Sequence, residues 1–304
     1  MSTVVLMSTY NGEKYLKDQL NSLVTQTLKP DKILIRDDGS SDSTLDILKY
    51  YADNYNFIEY YKGENLGPAK SFMELISNTK GYDYYALCDQ DDVWFENKLE
   101  IAVNTLKDMK KKSVPLLYCS RFTFTDADLN PMETKISSLY RFTDFAHSLL
   151  YQTAPGCTMV FNDAARKKIK KYDMNKEYVI IHDSIIHKIV TMYGEMVLDP
   201  EPRMFYRQHE NNAIGLATDK KKYNLNRIKR FFTGKLKHYR RDTARALLNV
   251  YGDSIDEEKR HLLEVVANYD TNKDYRHELM NDKRFKTDSI DDFFFRLLVL
   301  ARYI

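Results

Sequence analysis

Apolar positions change period several times along the chain, and each change marks an element. Thr3-Val4-Val5-Leu6-Met7-Ser8 is a short continuous apolar run of the kind used for a parallel strand buried on both faces. After a turn at Tyr10-Asn11-Gly12, Leu16, Leu20, Leu23 and Val24 fall at i, i+4, i+7 and i+8, the spacing of an amphipathic helix. Pro30-Asp31 ends it, and Lys32-Ile33-Leu34-Ile35-Arg36 predicts a second strand. That strand runs into Asp37-Asp38-Gly39-Ser40-Ser41-Asp42, and a helix carrying Leu45, Leu48 and Tyr51 begins there. Phe57-Ile58-Glu59-Tyr60-Tyr61 predicts a third strand. Gly63-Glu64-Asn65-Leu66-Gly67-Pro68 then leads into a helix whose first turn tolerates the proline. Tyr84-Tyr85-Ala86-Leu87-Cys88 reads as a fourth, buried strand ending at Asp89-Gln90-Asp91-Asp92-Val93-Trp94. Strands alternating with helices in this way predict a Rossmann-like, doubly wound, mostly parallel α/β sheet.

The middle of the chain is less regular. Leu116-Leu117-Tyr118-Cys119 and Thr158-Met159-Val160-Phe161 read as further strands, and Val197-Leu198-Asp199-Pro200 and Met204-Phe205-Tyr206 as late edge strands. Ile185, Ile186, Ile189, Val190 and Tyr193 mark a helix face beginning just after His182-Asp183-Ser184. Beyond Thr218 the pattern is helical to the end, closing on Phe293-Phe294-Phe295-Arg296-Leu297-Leu298-Val299-Leu300. The expected organisation is a catalytic domain over 1–217 and a basic helical extension over 218–304.

Charge sharpens that division. Residues 1–219 carry 26 Lys/Arg against 31 Asp/Glu, whereas residues 220–304 carry 20 against 13. Residues 220–241 hold ten Lys/Arg and no acid, interleaved with Tyr223, Phe231, Phe232 and Tyr239. An acidic body with a basic appendage points to an anionic partner. The three cysteines, Cys88, Cys119 and Cys157, lack metal-ligand spacing and suit a reduced, cytosolic setting. No signal-type leader and no stretch long enough for a membrane span is read from the sequence.

The motifs exclude some chemistry. There is no G-x-x-x-x-G-K-[ST] loop and no G-x-G-x-x-G after the first strand, which argues against P-loop and dinucleotide-cofactor readings. Instead polar or acidic turns close successive strands: Ser8-Thr9-Tyr10-Asn11, Asp37-Asp38-Gly39-Ser40 and Asp89-Gln90-Asp91-Asp92. In a parallel sheet such turns converge on one edge, where open α/β sheets bind ligands. Carboxylates packed this closely repel one another unless a cation sits among them, and Mg2+-type ions favour one or two carboxylates plus phosphate oxygens. A nucleoside diphosphate with a bridging metal satisfies these features together.

In this order, Ser8-Thr9-Tyr10-Asn11, Asp37-Asp38-Gly39-Ser40-Ser41-Asp42, Asn65-Leu66-Gly67 and Asp89-Gln90-Asp91-Asp92-Val93-Trp94 resemble family 2 glycosyltransferases of the GT-A fold. The resemblance continues through Gly156-Cys157-Thr158, His182-Asp183 and Tyr206-Arg207-Gln208-His209-Glu210-Asn211-Asn212, about residues 1–215, and the Asp-Gln-Asp-Asp form with His-Asp and Arg-Gln-His resembles the bacterial rhamnosyltransferase branch. It implies an inverting transfer from a nucleotide-sugar donor, dTDP-L-rhamnose first and a UDP-sugar second. The implied acceptor is a growing, lipid-linked cell-surface polysaccharide. By the same resemblance Thr9, Tyr10, Asn11, Asp37, Asp38, Asp89 and Gln90 would hold the nucleotide. Asp91 and Asp89, with His209, would hold a divalent Mg2+ or Mn2+; Asp183 would be the general base. Trp94, Gly156, Cys157 and His182 would line the acceptor and sugar side. The processive Gln-x-x-Arg-Trp motif has no match, which implies single-sugar addition.

Taken singly, the same residues have plainer readings. Asp183 and Asp42 read equally as helix N-caps, Trp94 as core packing, Asp92 as a supporting group and Cys88 and Cys157 as small buried residues. His182 and His209 read as structural histidines, and Asn65 and Gly67 as turn formers. For the basic segment the expectation is attachment to an anionic membrane surface, peripheral on the inner face of the plasma membrane, against a solvated helical face. Nucleic acid is not expected as a partner, and a homodimer stays open. Two alternatives remain to the transferase reading: a nucleotidyltransferase and a catalytically silent sugar-nucleotide-binding module.

Overall fold

The computed structural model describes residues 1–109, 113–133, 143–151, 154–178, 181–209, 237–286 and 290–304. The basic segment expected at the membrane lies outside them over 220–236, as do Glu210, Asn211 and Asn212. The described residues divide into two compact units, one formed by Met1–Thr143 with Gln152–Arg207, the other by Asp144–Tyr151 with Gln208–Ile304.

In the first unit, β1 (Thr3–Thr9), β2 (Lys32–Asp37), β3 (Ile58–Lys62) and β4 (Tyr84–Cys88) form a parallel set with β1 and β2 at its centre. α1 (Leu16–Val24), α2 (Thr44–Asn54) and α3 (Pro68–Asn78) connect them. Both faces are covered, so β1 is apolar at consecutive positions rather than alternate ones. Register pairs Thr9 with Asp37 and Met7 with Cys88, which brings the carboxyl ends of β1, β2 and β4 to one edge.

The rest of the sheet is mixed. It comprises β5 (Val93–Trp94), β6 (Leu116–Thr125), β7 (Val160–Asn162) and β8 (Glu195–Arg207), with α4 (Lys98–Asp108), α6 (Asp163–Ile169) and α7 (His182–Tyr193) around it; α5 (Phe145–Leu150) belongs to the second unit. The described strands run in the order β3-β2-β1-β4-β7-β6-β8-β5. The short β7 is antiparallel to both β4 and β6, and β6 and β8 are parallel to each other. The two late edge strands expected from the pattern are one strand, β8, interior to the sheet, with β5 at the edge. Pro200-Glu201-Pro202 hid this continuity, because proline cannot donate to a ladder. The ladder absorbs the interruption through register shifts at Ser120/Arg121 and Arg121/Thr123. The strand expected at Thr158 starts instead at Val160, and Gly156–Thr158 is a single 3-10 turn.

The second unit is helical, as the pattern after Thr218 predicts. Its described helices are α5, Tyr239–Tyr251, Glu257–Asn268, Lys273–Asn281 and Ile290–Leu300. Asp144 caps α5 through the His147 N–H at 3.0 Å, and the His147 ring reaches the Lys286 carbonyl oxygen at 2.9 Å. Arg241 pairs with Asp270 at 2.7 Å, and Tyr269 donates its hydroxyl to the Ile304 carbonyl at 2.9 Å. Among the described residues no helix is long and apolar enough to cross a membrane.

Candidate active site

The edge where β1, β2 and β4 end is built first from groups that serve the chain itself. Asp37 is fully buried. Its carboxylate accepts from Thr9 Oγ1 at 3.1 Å, Ser40 Oγ at 2.5 Å, the Ser40 N–H at 2.9 Å and the Gly39 N–H at 3.2 Å. Asp38, also buried, accepts from the Arg36 guanidinium and from the Leu66 and Gly67 N–H groups at 2.9 and 2.8 Å. Gly67 reaches it at φ 76°, a left-handed conformation that a side chain disfavours, and Pro68 then opens α3. Arg36 continues the fastening to the Glu64 carbonyl at 2.8 Å and to Glu74 at 3.1 Å. Thr9, Asp37 and Asp38 thus form the frame of this edge, while Tyr10 and Asn11 are its exposed members and Gln90 is half-buried between them and the acidic turn. Asp42 acts near the start of α2, as its N-cap reading anticipates, but by accepting from Thr44 at 3.0 Å from the position before the cap residue Ser43.

The acidic turn follows β4. Asp92 points inward because Val93-Trp94 pairs with Phe205 and Met204 of β8, and the Arg207 N–H donates to Asp92 Oδ1 at 3.2 Å. Asp92 Oδ2 is buried with no hydrogen-bond partner. Burial, then Asp91 and Asp89, hold its carboxyl well above the usual range. Asp89 is pushed up to about 7, first by burial and then by Asp91 and Asp183. An orphaned carboxylate oxygen beside a second carboxylate that resists ionisation is a hard-oxygen site short of positive charge, and it fits a divalent cation. Among the described residues the side chains within common ligand reach are Asp89, Asp92 and Cys157, whose donor atoms lie within 4.8 Å of one another. Relative to the set expected from the sequence, Asp89 is present, Asp92 joins it, and Asp91 is not part of that cluster. His209 falls in the second unit.

Asp183 lies in the first turn of α7, two residues after the N-cap Ile181, and is 7% exposed. Its Oδ2 accepts the Gly156 N–H at 3.1 Å and its Oδ1 the Ser184 N–H at 2.7 Å. His182 stacks on Phe72 with centroids 4.5 Å apart, and its buried Nε2 has no hydrogen-bond partner. Burial pushes this imidazole down to about 3. A Cβ on Gly156 would fall 2.7 Å from His182 Nε2 and 3.5 Å from Asp183 Cβ, so only glycine fits where the turn passes α7. The structure therefore brings Gly156, His182 and Asp183 together. Trp94 and Cys157 lie in the core at 3% and 1% exposure, as their plainer readings anticipate.

Three site-building residues had no role in the sequence reading. Arg36 reads in the sequence only as the last residue of the second strand. Arg207 fastens the acidic turn through the Asp91 carbonyl at 3.0 Å, the Ala127 carbonyl at 2.6 Å and Asp18 at 2.7 Å. Lys98, fully buried at the head of α4, donates to the Cys157 carbonyl at 2.6 Å, and burial pushes its ammonium down to about 8.

Comparison with known proteins agrees with this architecture. The sequence pattern of glycosyl transferase family 2 matches residues 4–120. The dTDP-rhamnosyl transferase RfbG of Shigella flexneri is 30% identical over 220 residues, 69% of this chain and 73% of that protein. An uncharacterized glycosyltransferase of Rickettsia typhi is 27% identical over 223 residues, 70% of this chain and 66% of its own length. Among solved structures, residues 1–349 of S. aureus TarS match with a TM-score of 0.58 at 16% identity, covering 99% of this chain and 80% of that one. The mannosyltransferase from Pyrobaculum calidifontis, solved with GDP-Man and Mn2+, matches with a TM-score of 0.54 at 15% identity over 98% of this chain and 79% of that one. The parallel edge, the acidic turn after β4 and these relatives together assign the chain: it is a glycosyltransferase of family 2, built on the GT-A fold.

Proposed function

We propose that this glycosyltransferase moves L-rhamnose from dTDP-L-rhamnose to a growing, lipid-linked cell-surface polysaccharide, with inversion, in a single displacement. The observation that carries the mechanism is the Asp183 carboxylate, held by the Gly156 N–H at 3.1 Å in the same electrostatic field as Asp89 of the acidic turn. The acceptor hydroxyl oxygen attacks the anomeric carbon, the bond from that carbon to the diphosphate oxygen breaks, and Asp183 takes the hydroxyl proton. One base suffices for inversion, with no enzyme nucleophile. Asp89 and Asp92, with Asp91 beside them, would hold a divalent Mg2+ or Mn2+. When bound, the cation supplies Lewis-acid stabilisation of the departing diphosphate. Thr9, Tyr10, Asn11, Asp37, Asp38 and Gln90 form the nucleoside side, Tyr10 and Asn11 by direct contact and the two aspartates by shaping the turn. The dTDP-rhamnose assignment draws on the similarity to RfbG.

Asp183→Asn tests the base. Transfer is expected to fall about 10³-fold while donor affinity stays within about twofold; unchanged transfer removes Asp183 from that role. Release of free dTDP supports transfer, and release of pyrophosphate would favour nucleotidyl chemistry instead. For the acceptor, the reading places the enzyme on an anionic membrane surface through residues 220–241. Replacing Lys220, Lys221 and Lys222 by Gln should weaken binding to anionic vesicles, and equal binding by both proteins removes that part of the proposal.

A further inference from the structure

Lys98 is an expensive way to fill a core. Its side chain is fully buried, with Nζ 3.4 Å from the centroid of the Trp94 ring and 3.5 Å from Met204 Sδ. Among the described residues no carboxylate lies within ion-pair distance of it, and its strongest partner is a neutral one, the Cys157 carbonyl at 2.6 Å. Removing an ammonium from water costs several kcal/mol, and apolar residues of similar volume commonly replace buried charges without loss. Stability is therefore a poor explanation for this lysine, and the carbonyl it holds is a better one.

That carbonyl belongs to the Gly156–Thr158 turn. The N–H one residue earlier, that of Gly156, is the donor to Asp183 Oδ2 at 3.1 Å. The turn has little freedom on its other sides. Leu87 of β4 donates its N–H to the Met159 carbonyl at 3.0 Å, and Gly156 packs directly against His182 and Asp183. One peptide unit thus separates the group that Lys98 grips from the group that orients the carboxylate. A displacement of about 1 Å at a reacting group costs on the order of 10²-fold in rate.

We propose that Lys98 is a positioning residue for sugar transfer: through the Cys157 carbonyl it fixes the Gly156 peptide that orients the Asp183 carboxylate. This rests on Asp183 being the base. The side chain does not touch the reacting atoms and acts only through the turn. Its charge, shielded from water, also lies in the field of Asp89 and Asp92.

The test is a double-mutant cycle on the full-length protein, combining Lys98→Met with Asp183→Asn and reading kcat and the donor KM separately. In the native background Lys98→Met should lower kcat about 10- to 100-fold and leave the donor KM within about twofold. In the Asp183→Asn background the same change should cost less than about twofold, because the carboxylate it orients is gone. Equal losses in both backgrounds, or a raised donor KM at unchanged kcat, would overturn the proposal. Lys98→Gln, which keeps an N–H donor without the charge, should recover part of the kcat lost in Lys98→Met; equal kcat values count against it. If Lys98→Met does not fold, Lys98→Gln against the native protein in the two backgrounds makes the same comparison. Full transfer by Asp183→Asn alone would instead refute the base assignment, so the two failures are told apart.

Discussion

Gln90 and Tyr10 are joined twice: the Tyr10 N–H donates to Gln90 Oε1 at 2.8 Å, and Gln90 Nε2 donates to the Tyr10 carbonyl at 3.0 Å. The pair ties the turn after β1 to the acidic turn after β4, eighty residues apart. A Cβ on Gly12 would fall 2.4 Å from Gln90 Oε1, so the amide is also packed from below. Each such bond is worth about 1 kcal/mol. Gln90→Ala should therefore raise the donor Kd about 3- to 10-fold by titration calorimetry, because Tyr10 loses its tether to the acidic turn. An unchanged Kd would mean that this turn does not meet the nucleotide.

Arg207 holds the acidic turn from outside. Its link to Asp18 counts for little, since Asp18 is 50% exposed and screened by water. The Asp91 and Ala127 carbonyls are the bonds that matter, together with the Tyr15 ring 4.4 Å from the guanidinium carbon. Arg207→Ala should cost about 2–4 kcal/mol in urea denaturation and lower kcat, whereas Asp18→Ala should cost under about 1 kcal/mol. Equal costs for the two variants would refute this ranking.

Arg36 and Asp38 are both 2% exposed and contact each other directly. Removing one partner of a buried pair leaves a desolvated charge behind, a loss of about 3–5 kcal/mol. Arg36→Met should show that loss, and Asp38→Asn in the same protein should recover much of it, by denaturant midpoint. A double variant no more stable than Arg36→Met would show that the Glu64 and Glu74 contacts dominate instead.

His182 links stability to pH. Its folded imidazole takes a proton only near about 3, because burial penalises the cation, whereas an unfolded histidine takes one near 6.5. Between those values the unfolded chain binds more protons, so stability rises with pH across the window. The contribution is complete above about 6.5 and is lost as the pH falls toward 3. Denaturation midpoints at pH 5 and pH 7.5 should differ more in the native protein than in His182→Asn. Equal differences would place the pH dependence elsewhere.

The edge where β1, β2 and β4 end was legible because its signals are local. Continuous apolar runs announced β1, β2 and β4, and each polar turn sits directly after the strand that presents it. The rest depends on pairings that no period encodes. Arg207 looks like a strand-end cation until Asp91, Ala127 and Asp18 are brought to it from 80 to 189 residues away. Lys98 resembles any lysine opening an amphipathic helix, and only the sheet places Cys157 above it. Asp91 and Asp92 are neighbours in one turn, yet the β5–β8 ladder turns Asp92 inward, and that ladder was masked by two prolines.

β7 is three residues long and lies antiparallel between two sets of strands. It is the seam of the enzyme. On the proposed mechanism the acidic turn and the nucleoside turns are encoded before it and the base Asp183 after it, on separate stretches of gene. On that mechanism, exchange of the segment beyond β7 between relatives is expected to leave nucleotide preference in place, which gives evolution a place to splice.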